Sequence, residues 1–208
     1  MSTSTGHPRS GDPVIRYGDM LSRVTACEPT APALTQFARP SEVSGALRRE
    51  LAGCWATVVN AGGAVIPADC PLPPLVPADL AAAVDQVAEV LAPEHGRLLV
   101  ATLDGSVAGW LLVRREGHPL EAHCGVVNHV QTQVRLRNRG IGTALMREVH
   151  RVAREEMGLE RLKLSVRAGL GIEDFYRRAG WAEVGRWPGA LRLAPGDDRD
   201  EILMCRAL

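Results

Sequence analysis

Val134-Arg135-Leu136-Arg137-Asn138-Arg139-Gly140-Ile141-Gly142-Thr143-Ala144-Leu145 is the stretch in which strand-like sequence gives way to a glycine-punctuated turn that opens a helix. Gly140 and Gly142, one residue apart, leave no side chains over the backbone N–H groups, which can then converge on an anion at the positive end of a helix dipole. Arg135, Arg137 and Arg139 add guanidinium charge to the same turn. A guanidinium presents paired donors, so a pyrophosphate can use both the backbone and the side chains of this segment.

Working outward, the alternating Val130-Gln131-Thr132-Gln133-Val134 ends a strand expected from about Ala122 to Val134, and Leu145, Val149, Val152 and Ala153 form one helical face that stops at Gly158. Upstream, Arg97–Leu103 and Val107–Val113 flank Asp104-Gly105, a hairpin signal. Two helices precede it. The first follows Pro40, with Ser41 placed to cap a face of Leu47, Leu51, Cys54, Trp55 and Val58; the second starts at Pro77, runs through Leu80, Ala83, Val84, Val87 and Leu91, and ends at Pro93. Ala33–Ala38 reads as a first strand, and the Gly- and Pro-rich connection from Asn60 to Pro74 is long enough to cover a site.

Downstream, Leu162, Leu164 and Val166 alternate with Arg161, Lys163 and Ser165 as a strand with one covered face. Ile172, Phe175, Tyr176 and Ala179 then fall at helical spacing before Gly180. The chain closes with strand-like Ala182–Arg186 and Glu201–Arg206 around Pro195-Gly196-Asp197-Asp198. The expected order is β-α-α-β-β-β-α-β-α-β-β.

The 208 residues, 46% of them hydrophobic, suffice for one good core, expected over residues 32–208. Residues 1–31 are polar, turn-rich and without period, and are expected to form a flexible or loosely docked extension. A formal net charge of zero disfavours nucleic acid as a partner, because sequence-independent affinity for phosphate backbones comes from surplus Lys and Arg. Five widely spaced cysteines without a C-x-x-C pair indicate neither a disulfide framework nor a metal site, and suit a reducing cytoplasm. No apolar stretch reaches the roughly 20 residues that cross a bilayer, so no membrane association is expected.

The Arg-x-x-Gly-x-Gly pattern at Arg137–Gly142, after the alternating Val130–Val134, resembles the coenzyme A loop of the GNAT superfamily of N-acetyltransferases. The ordered elements from Ala33 onward are similar to the GNAT fold. That resemblance implies an α/β (α+β) chain with a mixed, twisted sheet of about six to seven strands flanked by about four helices. Trp55–Ala64 and Gly185–Gly189 resemble, more loosely, the tabtoxin-resistance-type branch, which acts on small amine-bearing molecules. Many GNAT proteins are dimers, so the resemblance allows a homodimer.

The resemblance implies acetyl-CoA as co-substrate, without a metal, and a strand around Val130 and Thr132 that separates from its neighbour near Ser165 to admit the pantetheine arm. A backbone N–H at Thr132 is then expected to polarise the thioester, while those of Arg137, Asn138, Arg139, Gly140, Ile141, Gly142 and Thr143 take the pyrophosphate. Tyr176, in Phe175-Tyr176-Arg177-Arg178, matches the tyrosine many relatives carry near the coenzyme sulfur, and is the candidate general acid. The alternative for Tyr176 is a packed helix face beside Ile172 and Phe175.

The base is harder to place. Positions where relatives often hold a base match Val126 and Asn128, neither of which takes a proton. His129 has the right intrinsic pKa, but strand alternation puts it on the opposite face unless a bulge resets the phase. A structural histidine, with proton loss through water held at Ser165, stands as the alternative. Arg167 stands where relatives often carry an asparagine for the pantetheine. The expected reaction is direct acetyl transfer to a primary amine of a small molecule; Trp55, Trp110 and Trp187 are candidate lining for its site. A protein or peptide acceptor, and a non-catalytic acyl-CoA sensor that has lost its base, are the competing readings.

Overall fold

In the computed structural model, residues 1–2, 31–63 and 67–208 are described; most of the expected N-terminal extension, and Ala64 with the two residues after it, lie outside them. Seven strands form one mixed sheet in the order β1-β2-β3-β4-β5-β7-β6. They are β1 (Ala33–Phe37), β2 (Gly96–Leu103), β3 (Ser106–Arg115), β4 (Cys124–Thr132), β5 (Arg161–Arg167), β6 (Ala182–Ala194) and β7 (Asp197–Ala207). All neighbours are antiparallel except β4 and β5, which run parallel and are joined by the crossover helix α3 (Ile141–Arg151). Helices α1 (Gly45–Asn60), α2 (Ala81–Glu89) and α4 (Ile172–Arg178) complete the set. No described helix is long and apolar enough to cross a membrane.

Strand alternation sorts the core into two layers. On one face Leu98, Val100, Trp110 and Leu112 pack under Leu51, Trp55, Leu80 and Val84 of the segments that lead through α1 and α2. On the other, Leu99, Leu111, Val113 and Val127 pack under Leu145 and Val149 of α3, and Leu164, Ile202 and Met204 extend that layer to Tyr176 and Trp181.

Several boundaries differ from those expected. Ser44, not Ser41, caps α1, its hydroxyl accepting from the Leu47 N–H at 3.2 Å, because Pro40–Glu42 is taken up by a separate 3-10 turn. Pro77–Leu80 is also a 3-10 turn, and α2 proper starts at Ala81. Strand β4 stops at Thr132; the expected extension through Val134 is replaced by a 3-10 turn over Val134–Leu136, because the chain must turn there toward α3. The closing strands are longer than expected, β6 and β7 pairing nearly to the Pro195-Gly196 turn through three register shifts.

Strand β4 is irregular in two places. Trp110 of β3 faces Gln131, whereas Leu112 faces Asn128, so the single residue Leu111 stands against the pair His129–Val130. This is a β-bulge, and His129 takes it up with a left-handed φ of 53°. Beside it, β4 pairs with β5 over three residues only, Cys124↔Arg161 to Val126↔Lys163, and the strands part beyond that point.

Candidate active site

The opening between β4 and β5 leads into two adjoining clefts. The larger, 680 Å³, is lined by Val130 and Thr132 at the end of β4, by Arg137, Asn138 and Gly140–Thr143, and by Phe175, Tyr176 and Arg178 of α4. The second, 430 Å³, lies between Val126–Gln131 of β4 and Lys163–Arg167 of β5 and shares Val130, Ile172 and Tyr176 with the first. The structure therefore brings together both candidate catalytic residues and most of the loop residues singled out in the sequence. Arg135 and Arg139 are the exceptions, both exposed and outside the lining of either cleft.

The loop has the backbone of an anion cradle. Asn138 and Gly140 adopt left-handed φ values of 63° and 77°. Gly140 occupies the N-cap of α3 without any side-chain cap, so the first N–H groups of the helix keep their donors open. The N–H groups of Asn138, Arg139 and Gly140 likewise find no backbone acceptor among the described residues. Gly142 keeps the wall thin, since a Cβ there would come within 3.2 Å of the Phe175 ring and 3.7 Å of Thr132 Oγ1. This donor set, open and backed by Arg137 and Arg178, fits the phosphates of acetyl-CoA. Ile141 contributes through its backbone, its side chain being buried in the core beside Leu145.

One contributor, Arg178, was not singled out in the sequence, and a second falls in the connection expected to cover a site. Arg178 lies one helical turn after Phe175, and that spacing was its only signal. Ala61, Gly62 and Gly63 at the end of α1 also line the larger cleft, so the start of the Asn60–Pro74 connection borders it. A Cβ on Gly63 would come 2.8 Å from Arg137 Nη2 and 3.2 Å from the Val58 side chain, so a larger residue there would push the Arg137 guanidinium aside. The Arg167 guanidinium donates to the Gly62 carbonyl, tying β5 to α1 across the opening.

Tyr176 is 3% exposed, with its ring edge-on to Phe175 at 5.1 Å and to Trp181 at 6.2 Å. Burial pushes its phenol above the ordinary value, which keeps it protonated. It is thus both a core residue and a cleft residue, and the two sequence readings are not exclusive. The bulge resolves the parity problem of His129 by turning it to the α1 side, where its ring lies 4.6 Å from Trp55 and 5.5 Å from Trp110. Burial, with help from the nearby Arg114 charge, lowers its pKa to about 4, so the imidazole is neutral at ordinary pH. Of the candidate acceptor-site tryptophans, Trp55 lines a third pocket of 250 Å³ beside His129, Trp110 is fully buried behind it, and Trp187 is 69% exposed on β6 and lines none of the three cavities.

A parallel β4–β5 pair that parts beside a glycine-built loop at a helix N-terminus, on a seven-stranded mixed sheet, defines the class of the fold. The chain belongs to the acetyltransferase (GNAT) family, whose model matches residues 69–181, just over half of its length. Its fold is similar to that of a crystal structure provisionally named a phosphinothricin N-acetyltransferase, 19% identical, with 85% of this chain and 99% of that one covered at a TM-score of 0.66. It is equally similar to ribosomal-protein-alanine N-acetyltransferase from Brucella melitensis, 18% identical over 85% and 99% of the two chains, TM-score 0.66. In sequence, 57 residues are 37% identical to the tRNA uridine(34) acetyltransferase of Methanocaldococcus infernus, 27% of this chain and 10% of that protein. The chain thus spans about a tenth of the length of the curated relatives it matches.

Proposed function

We propose that this acetyltransferase moves an acetyl group from acetyl-CoA directly to a primary amine on a small molecule. The observation that carries the reading is the junction of the two clefts at Val130 and Tyr176, which puts an open phosphate cradle at one end of a continuous opening and His129 at the other. Acetyl-CoA supplies the activated acyl group. Backbone N–H groups of the Arg137–Thr143 loop, with Arg137 and Arg178, hold its phosphates, and the edge of β4 freed from β5 pairs with the extended arm through Val130 and Thr132. The Thr132 N–H polarises the carbonyl, and Tyr176, protonated throughout the working range, gives its proton to the departing sulfur.

His129 accepts a hydrogen bond from the attacking amine and passes the proton to solvent, since a pKa of about 4 makes it a poor resting place for a proton. The four described cysteines are all free thiols, which supports a reducing compartment such as the cytoplasm. The test is thiol release from acetyl-CoA across a panel of small primary amines, with tertiary amines as controls. Release that requires a primary amine is expected. Coenzyme binding with no release on any amine or peptide would reduce the protein to an acyl-CoA sensor and overturn the proposal.

A further inference from the structure

The 250 Å³ pocket on the α1–α2 side of β4 is the part of the molecule whose chemistry the acetyl-transfer reading leaves unassigned. His129 borders both this pocket and the β4–β5 cleft, so a group seated here points past His129 toward the transfer site. Its size is below the ~300 Å³ at which drug-sized sites begin, which suits a molecule the size of one amino acid better than a peptide segment.

The polar side chains around it are Arg114, Asn128, Gln86, His129 and the Trp55 indole, of which only Arg114 carries a charge at ordinary pH. Arg114 stands at the rim, its described hydrogen bond running from Nη2 to Asn128 Oδ1 at 3.3 Å, with no carboxylate among the described residues paired to it. Asn128 gives its oxygen to that bond, which leaves its amide N–H₂ as a donor. Trp55 is 1% exposed and forms part of the pocket wall. Gln86 adds a second amide, and no acidic side chain among the described residues lines the pocket. A polycationic amine would meet an unneutralised guanidinium and find no carboxylate to hold it. Leu112 and Val87 supply apolar walls between these groups.

We infer that this pocket selects an acceptor carrying a carboxylate on the same small molecule as its primary amine, with Arg114, oriented by Asn128, as the carboxylate anchor. The inference rests on the acetyl-transfer reading for the fate of the amine, but not for binding. The Arg114 guanidinium takes the carboxylate through paired N–H donors, and the amine is left facing His129.

The experiment measures binding without turnover. Tryptophan fluorescence of the full chain is followed on titration with small α- and ω-amino acids, each against its own carboxamide, in the absence of acetyl-CoA. At least one acid is expected to bind roughly 10- to 100-fold tighter than its carboxamide, the range for a charge-assisted pair. Arg114→Gln should abolish that preference and Arg114→Lys should keep part of it, with circular dichroism unchanged because the side chain is exposed. Acids and carboxamides binding alike, or no amino acid binding at all, overturns the inference, as does a preference that survives Arg114→Gln. The same preparation with acetyl-CoA separates the two levels. Selective acid binding without acetylation refutes the transfer reading and leaves the pocket assignment standing, whereas acetylation of amines without acid preference does the reverse.

Discussion

Tyr176 and His129 show how differently two site residues can be written into a sequence. Tyr176 is legible, because its spacing from Ile172, Phe175 and Ala179 puts it on the inner face of a helix whatever its role. Its hydroxyl is the only part that tests chemistry: Tyr176→Phe should preserve packing at a 3% exposed site while turnover falls roughly 10²- to 10⁴-fold, with acetyl-CoA affinity little changed. Parental turnover in the variant would return Tyr176 to a packing role. His129 is not legible, since the bulge that re-aims it is marked by neither glycine nor proline and arises from the Trp110–Leu112 register with β3. Its pKa, lowered from the ordinary histidine value to about 4, means that the unfolded chain binds this proton more readily than the folded one. His150, lowered to about 4 by burial and then by Arg206, acts in the same sense. The contribution of these two histidines is therefore complete above about pH 6.5, is lost as pH drops toward 4, and changes no further below that. Urea midpoints through this window should decline. His129→Asn, which tolerates the left-handed backbone and does not titrate, should decline less; an equal slope in both proteins would show that His129 is not one of the groups responsible.

At the scale of elements, the sequence was most informative where periodicity and turn chemistry agreed. The β2–β3 hairpin turns at Asp104-Gly105, both with left-handed φ, as those residue types require. The Arg137–Thr143 loop was readable for the same reason, since Gly140 can hold φ of 77° without strain and Gly142 admits the Phe175 ring. Boundaries were read less well where two local devices competed. Either Ser41 or Ser44 could cap α1, and the 3-10 turn over Pro40–Glu42, held by Glu42 accepting from the Ala38 N–H at 2.7 Å, decides for Ser44. An aspartate at Gly142 brings two separable costs to this loop: its Cβ must displace Phe175, and its carboxylate sits where the helix dipole and open N–H groups favour an anion from outside.

For the whole molecule, the sheet separates the tasks. The larger cleft opens at the end of β4 against α4, while the pocket beside Arg114 lies under α1 and α2. The parting of β4 from β5 joins the two sides. Arg167 bridges that parting by donating to the Gly62 carbonyl, which ties the α1 end to the sheet at the mouth of the coenzyme cleft. The element order followed from periodicity and the β2–β3 pairing from its turn, whereas the parting of β4 from β5 was expected only through the family resemblance, because it depends on contacts between residues distant in sequence. Acceptors differ even among proteins of like fold, whose names point to a small molecule in one case and a protein in another. The claim on which the rest depends is that the Arg137–Thr143 cradle holds acetyl-CoA. Calorimetric titration of the full chain with acetyl-CoA, beside the Gly142→Asp variant, tests it most directly. Saturable one-to-one binding by the parent, at least about 100-fold weaker in a variant that still unfolds cooperatively, is the predicted result. No binding by the parent, or equal binding by both proteins, would contradict it.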